Sequence, residues 1–212
     1  HDPSAGADRA GIAVRPGVIA HARSTGSPSG TPVVNEGAVY FWVSGGGAWP
    51  GTAGQTLRPP ESPDVDRFGT GLAWSPNGSF LAVGQAGWDY ADSFMGDDEV
   101  RYDAGRVLVY RSDAGGVQEP HKVALTAVPP LAQAHLGRGE ICWIGNNVLA
   151  VSESRYQPTT GVVTPQSLVF FWTDDDWDSA NSFRVGYDGD AGLQAHDRFG
   201  AVMAASHDGS RF

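Results

Sequence analysis

The chain has 212 residues and a net charge of −10, without the clustered Lys and Arg that a nucleic-acid backbone binder or a protein held on an anionic membrane surface requires. Its 41% hydrophobic content supplies a real core, which excludes general disorder, and no apolar run reaches the roughly eighteen residues needed to cross a bilayer. Cys142 is the single cysteine, so neither an internal disulfide nor a thiolate metal site can form.

The apolar runs are short and β-branched, and glycine and proline are dense between them. That is the pattern of many short strands joined by turns, with no helical i, i+3, i+4 spacing. In chain order, Asp8-Arg9-Ala10-Gly11 opens a first apolar stretch, Arg15-Pro16-Gly17 turns it, and Val18-Ile19-Ala20 returns. A third strand follows at Gly37 to Trp42 and a fourth at Gly54 to Leu57. The pattern restarts at Asp66-Arg67-Phe68-Gly69. Its first strand runs to Ser75, and Pro76-Asn77-Gly78 is a tight turn that favours positive φ. Phe80 to Gln85 returns as strand two. An acidic loop, Gly87 to Ala104, carries Asp89, Asp92, Asp97, Asp98, Glu99 and Asp103. Gly105 to Arg111 is strand three, and His121 to Val128 alternates as strand four.

A third copy opens at His135-Leu136-Gly137, returns at Val148 to Val151, and continues in Ser167 to Trp172 and Ser182 to Val185. A fourth opens at Asp197-Arg198-Phe199-Gly200 and reaches only its turn, His207-Asp208-Gly209. From Phe68 to Leu136 is 68 residues and from Leu136 to Phe199 is 63; the difference falls in the loop between strands two and three. Four-stranded units in series, each too small to bury its own faces, predict an all-β fold. The predicted architecture is a β-propeller segment of about three four-stranded blades plus the first hairpin of a fourth. The blades are expected at 1–65, 66–133 and 134–196, with 197–212 starting the next. A closed ring needs more blades than this, so the chain reads as a piece of a longer protein or as one of several chains completing a ring. It begins at His1 within a repeat, so any targeting segment lies outside it.

The Asp-Arg-Phe-Gly opening, the hairpin ending Ala82-Val83-Gly84, the acidic insert and Gly105-Arg106-Val107-Leu108-Val109-Tyr110 together resemble the FG-GAP repeat of integrin α-subunit propellers. The resemblance covers essentially the whole chain. Gly11, Gly69, Gly137 and Gly200 stand at the repeat glycine, Phe68 and Phe199 at its aromatic partner, while Ala10 and Leu136 depart from it. The resemblance implies a surface or extracellular scaffold, with roles such as cell adhesion and protein binding. The calcium loop common in such repeats is missing from the turns at 15–17, 75–78, 145–147 and 206–209, which hold too few carboxylates for the ion's oxygen shell. The second family considered is the WD repeat. Leu72 to Gly84 would pass for its first hairpin, but its period is about 40–45 residues, shorter than the spacing here.

Candidate functional residues fall mainly in the connections. Trp49, Trp88 and Trp177, with Tyr90, Asp97 and Asp98 beside Trp88, are the candidate contacts for a protein or glycan. Packing over a blade edge is the alternative for the three tryptophans, and a solvated loop is the alternative for the acids. Trp42, Trp74, Trp143 and Trp172 lie in strands and are expected in the core. Asp66, Phe68, Gly69, Gly137, Asp197, Phe199 and Gly200 are repeat-structural. Asn77-Gly78-Ser79 is the one glycosylation sequon, which matters if the protein is secreted. The six histidines show no ligand spacing, and no nucleophile elbow or phosphate loop is present.

The sequence therefore predicts a non-enzymatic propeller scaffold without cofactor or metal, extracellular or at the cell surface. Its partners would be proteins or glycans, the rest of its own ring, or neighbouring subunits. Two other readings are a building block of a filament or multiprotein assembly, and the accessory propeller of an enzyme whose catalytic domain lies elsewhere.

Overall fold

The computed structural model describes residues 11–23, 37–45, 47–60, 67–91, 100–113, 116–127, 134–153, 166–171 and 181–185. Every regular element among them is a β-strand. The first sheet is a meander of β1 (Ile12–Arg15), β2 (Val18–Arg23), β3 (Ala38–Val43) and β4 (Gln55–Leu57), paired in that order. The second is built on β5 (Phe68–Trp74), β6 (Phe80–Gln85), β9 (Arg106–Asp113) and β11 (Val123–Leu125). A small hairpin of β7 (Tyr90–Ala91) and β8 (Val100–Arg101) leaves it between β6 and β9, and β10 (Gly116–Val117) folds back on the end of β9. The third repeats the meander with β12 (Ile141–Trp143), β13 (Val148–Glu153), β14 (Gln166–Phe171) and β15 (Asn181–Val185). All strand pairs are antiparallel, and none of the sheets closes into a barrel.

Registers superimpose the three meanders residue by residue. Ile12 faces His21, Leu72 faces Val83 and Ile141 faces Val151; Val14, Trp74 and Trp143 then fall opposite Ile19, Leu81 and Leu149. Residues paired across strands share a face, so each sheet has a front carrying these positions and a back carrying those between them. The back of the first sheet (Ala13, Ala20, Ala22, Val39, Phe41, Leu57) and the front of the second (Leu72, Trp74, Leu81, Val83, Leu108, Tyr110) form one core. The back of the second (Ala73, Ala82, Val107, Val109, Leu125) and the front of the third (Ile141, Trp143, Leu149, Val151) form the other. The sheets stack front on back, so each pair shares a core that neither could enclose alone.

At one end of the stack the backbones themselves meet. Gly37 bridges Phe68 and Gly105 bridges Leu136, both in parallel sense and just before a third strand. Each glycine has positive φ, 81° and 76°, and a Cβ on either would strike the backbone of the bridged residue. Phe68 and Leu136 are fully buried. The motif glycines that follow are equally confined: a Cβ on Gly69 would lie 2.7 Å from Ala22 Cβ, and one on Gly137 would lie 3.0 Å from Gly84 Cα. Ala22 and Gly84 occupy the same register in their sheets, opposite Val39 and Val107.

Three details differ from the sequence reading. Gly11 pairs as Gly71 and Glu140 do, two residues beyond the motif glycine Gly69, because a bulge between Phe68 and Leu72 absorbs extra residues in the second sheet. Trp42 shares its register with Tyr110 and Phe170, not with Trp172. The acidic stretch from Gly87 to Ala104 contains the β7–β8 hairpin where the sequence suggested an open loop.

Gly105→Ala should therefore destabilise the chain by about 2–4 kcal/mol, through its left-handed backbone and the clash with Leu136. Gly45→Ala is the control, since nothing lies within 4 Å of an added Cβ there. Urea midpoints of the two variants measure the difference.

Candidate binding surface

The β6–β9 connection is anchored by its own ends. The Trp88 amide donates to the Gln85 carbonyl at 3.3 Å, and the Gly105 amide donates to the Trp88 carbonyl at 2.9 Å. Beneath it lies Arg106, only 4% exposed. A buried guanidinium must find partners: its Nε donates to Gln85 Oε1 at 2.8 Å, and its Cζ stands 4.6 Å from the centroid of the Trp88 ring. Tyr90 meets Trp88 edge-on at 5.7 Å. Trp88 is thus fixed from below by a cation and from the side by an aromatic edge. In the same connection Tyr102 is 63% exposed and Asp89 is exposed.

The third sheet fastens this connection. Asp103, at φ 54°, donates its amide to Asp89 Oδ1 at 2.7 Å and accepts the His135 amide at 2.9 Å. The Leu136 amide donates to Ala104 O at 3.0 Å. His135, 6% exposed, has Nδ1 at 3.2 Å from Ala86 O and 3.9 Å from Asp103 Oδ1. Burial pushes its pKa below the ordinary histidine value; Asp103 and the Ala86 carbonyl oppose that shift, whereas Arg138 and Arg67 add to it. The ring is held as a neutral donor to a carbonyl, an arrangement suited to positioning a loop and ill suited to exchanging protons with a ligand.

At the opposite end of the stack the connections are stapled by polar side chains. Gln55 donates through Nε2 to Val117 O at 2.6 Å and accepts the Val117 amide at 3.0 Å. Arg15 reaches Ser112 Oγ at 3.1 Å and Asp113 O at 2.9 Å, with its guanidinium 4.8 Å from the Trp74 ring centroid. Trp143 Nε1 donates to Ala73 O at 3.0 Å and its ring stacks on Phe80. Trp49, 49% exposed, belongs to this end, in the β3–β4 connection. Asn77 is exposed there too. Its Oδ1 accepts from Ser75 Oγ and from the Ser79 amide, so the sequon asparagine builds its own turn.

The structure consequently brings Trp88 and Tyr90 together and leaves Trp49 at the other end. Phe68, Gly69 and Gly137 sit at the sheet junctions. Asp97, Asp98, Trp177, Asp66, Asp197, Phe199 and Gly200 lie outside the described residues. Sequence reasoning missed Arg106, Gln85, Arg15 and Gln55; a charged residue opening an otherwise apolar strand at Arg106 was the available signal. Among the described residues no group of three or more His, Cys, Asp or Glu could hold a metal ion, and no helix is long and apolar enough to cross a membrane. Comparison with protein-family models and with curated proteins finds no match.

Because His135 has a lowered pKa in the fold, the unfolded chain binds its proton more readily. Its contribution is complete above the unfolded value of 6.5 and is lost as pH falls below it. Urea midpoints compared at neutral and mildly acidic pH should drop for the native chain, and drop less for His135→Asn, which retains a residue tolerant of φ 47°.

Proposed function

We propose that the chain is a non-enzymatic scaffold of β-propeller type whose three sheets are blades, and that it binds a protein or glycan through the β6–β9 end. The observation that carries this reading is the repeated front-on-back stacking at matched positions, each step closed by a glycine against the next unit's apolar residue. Series of small sheets that share cores with their neighbours serve as frames for loops. The resemblance of the Asp-Arg-Phe-Gly pattern to FG-GAP repeats supports the same reading and suggests a surface or extracellular setting. Trp88 and Tyr90 would supply rigid aromatic contact and Tyr102 an exposed one, with Asp89 and Asp103 of the same connection favouring a polar or basic partner.

The second reading, a building block of a larger assembly, is favoured by one specific observation: the front of the first sheet exposes Ile12 and Val14 at 64% and 65%.

A binding screen of the whole chain on glycan and protein arrays, repeated with variants, tests the first reading. Tyr102→Ala should weaken the captured ligand by about tenfold or more without altering stability, and Trp49→Ala should leave binding unchanged. Binding indifferent to both Tyr102→Ala and Trp88→Ala would remove this end from the site.

A further inference from the structure

Both ends of the β6–β9 connection are held by one residue that leads into the third sheet. The ring of His135 reaches the outgoing end, its Nδ1 donating to Ala86 O at 3.2 Å. Its amide reaches the returning end, donating to Asp103 O at 2.9 Å. Between those ends the connection carries Trp88, Tyr90 and the exposed Tyr102. His135 and Asp103 both hold left-handed backbone, at φ 47° and 54°, a conformation that persists outside glycine only where surrounding contacts enforce it. The preceding joint differs at the same point. Arg67, at φ 52°, stands immediately before the bridged Phe68, as His135 stands immediately before the bridged Leu136. Arginine keeps its charge at every pH a protein meets, whereas histidine changes charge close to neutrality. Of these two joints, the second alone carries a titrating residue there.

We propose that His135 is a pH-operated latch on the β6–β9 connection: neutral, it holds both ends together; in mildly acidic medium it takes up a proton and lets go, and the connection opens while the sheets stay folded. The role, a binding surface ordered at neutral pH and released in acid, rests on the reading of this end as the site; the movement does not. The ring is 6% exposed, and burial is the largest obstacle to charging it in place. The charged groups that bear on it are Asp103 from the connection, Arg67 from the segment entering β5, and Arg138 from its own turn. Asp103 Oδ1, at 3.9 Å on a half-exposed side chain, and Ala86 O favour the charged ring. The two arginines oppose it together with burial, and the opposition wins. A proton therefore binds more readily to the ring released into water. Opening takes up one proton, so it grows by about tenfold for each pH unit below 6.5. The joint itself does not depend on the ring: Leu136 is fully buried and its amide is held by Ala104 O.

Native-state hydrogen exchange of the whole chain, corrected for intrinsic rates and followed against low concentrations of urea, tests the latch from neutral to mildly acidic pH. The amides of Asp103 and His135 are both bonded at the root of the connection. They are expected to open about tenfold more often per pH unit below 6.5, with a shallow urea dependence because little surface is exposed. The Val109 amide should keep the steep urea dependence of global unfolding at every pH. His135→Asn should remove the pH dependence of root opening; the measurement on the native chain stands whether or not this variant folds. Root amides that match Val109 in opening free energy and urea dependence throughout would overturn the proposal, since the connection would then open only with the sheets. So would root opening that is indifferent to pH, or a pH dependence that survives in a folded His135→Asn. No ligand enters the measurement, so the latch and ligand capture at Tyr102 fail separately.

Discussion

The structure depends on one close approach, repeated twice: a glycine at the start of a third strand laid against the backbone of the next unit's first apolar residue. Gly37 on Phe68 and Gly105 on Leu136 leave no room for a side chain. The contact sets how closely consecutive sheets approach at this end, because backbone atoms cannot give way as side chains can. The apolar residue is driven into the shared core directly behind the bridge, where Phe68 and Leu136 are fully buried. The root of the β6–β9 connection is tied to this joint.

The candidate binding end is tied to the same joint. His135 and Leu136, which lead the third sheet into place, donate their amides to Asp103 and Ala104 at the base of the β6–β9 connection. Trp88 is held through Arg106 and Gln85, the last pair of the β6–β9 ladder. A loop whose root is shared by two sheets can present aromatic side chains in one orientation, which lowers the entropy cost of recognition. The far end of the stack is closed by side-chain staples from Gln55 and Arg15. These hold the sheets at a distance that backbone contact sets elsewhere.

Much of the sheet order was legible in the sequence because its determinants are local. The turn at Pro76-Asn77-Gly78, the alternation in Phe80 to Gln85 and the spacing of the Asp-Arg-Phe-Gly pattern each act over a few residues. What was not legible depends on distant partners. Gly11 resembles the motif glycine in sequence, but the bulge after Phe68 moves the true register by two residues. Arg106 looks like an ordinary strand opener until Gln85 and Trp88 are folded around it. Trp42 has the composition of a core residue and is half-exposed, because a front face is buried only when another sheet lies on it. The acidic stretch gave no sign of its hairpin, since a two-residue strand pair at Tyr90–Arg101 leaves no periodicity to read.

The central claim is that the sheets are one cooperative body locked at the glycine joints, and native-state hydrogen exchange addresses it directly. The amide of Leu136, bonded across the joint to Ala104, should open with the same free energy as the Val109 amide in the middle of the second sheet. Gly105→Ala should lower both by the same amount. If Leu136 and the amides of β13 instead exchange far faster than Val109, and only they respond to Gly105→Ala, the third sheet opens independently and the account is wrong.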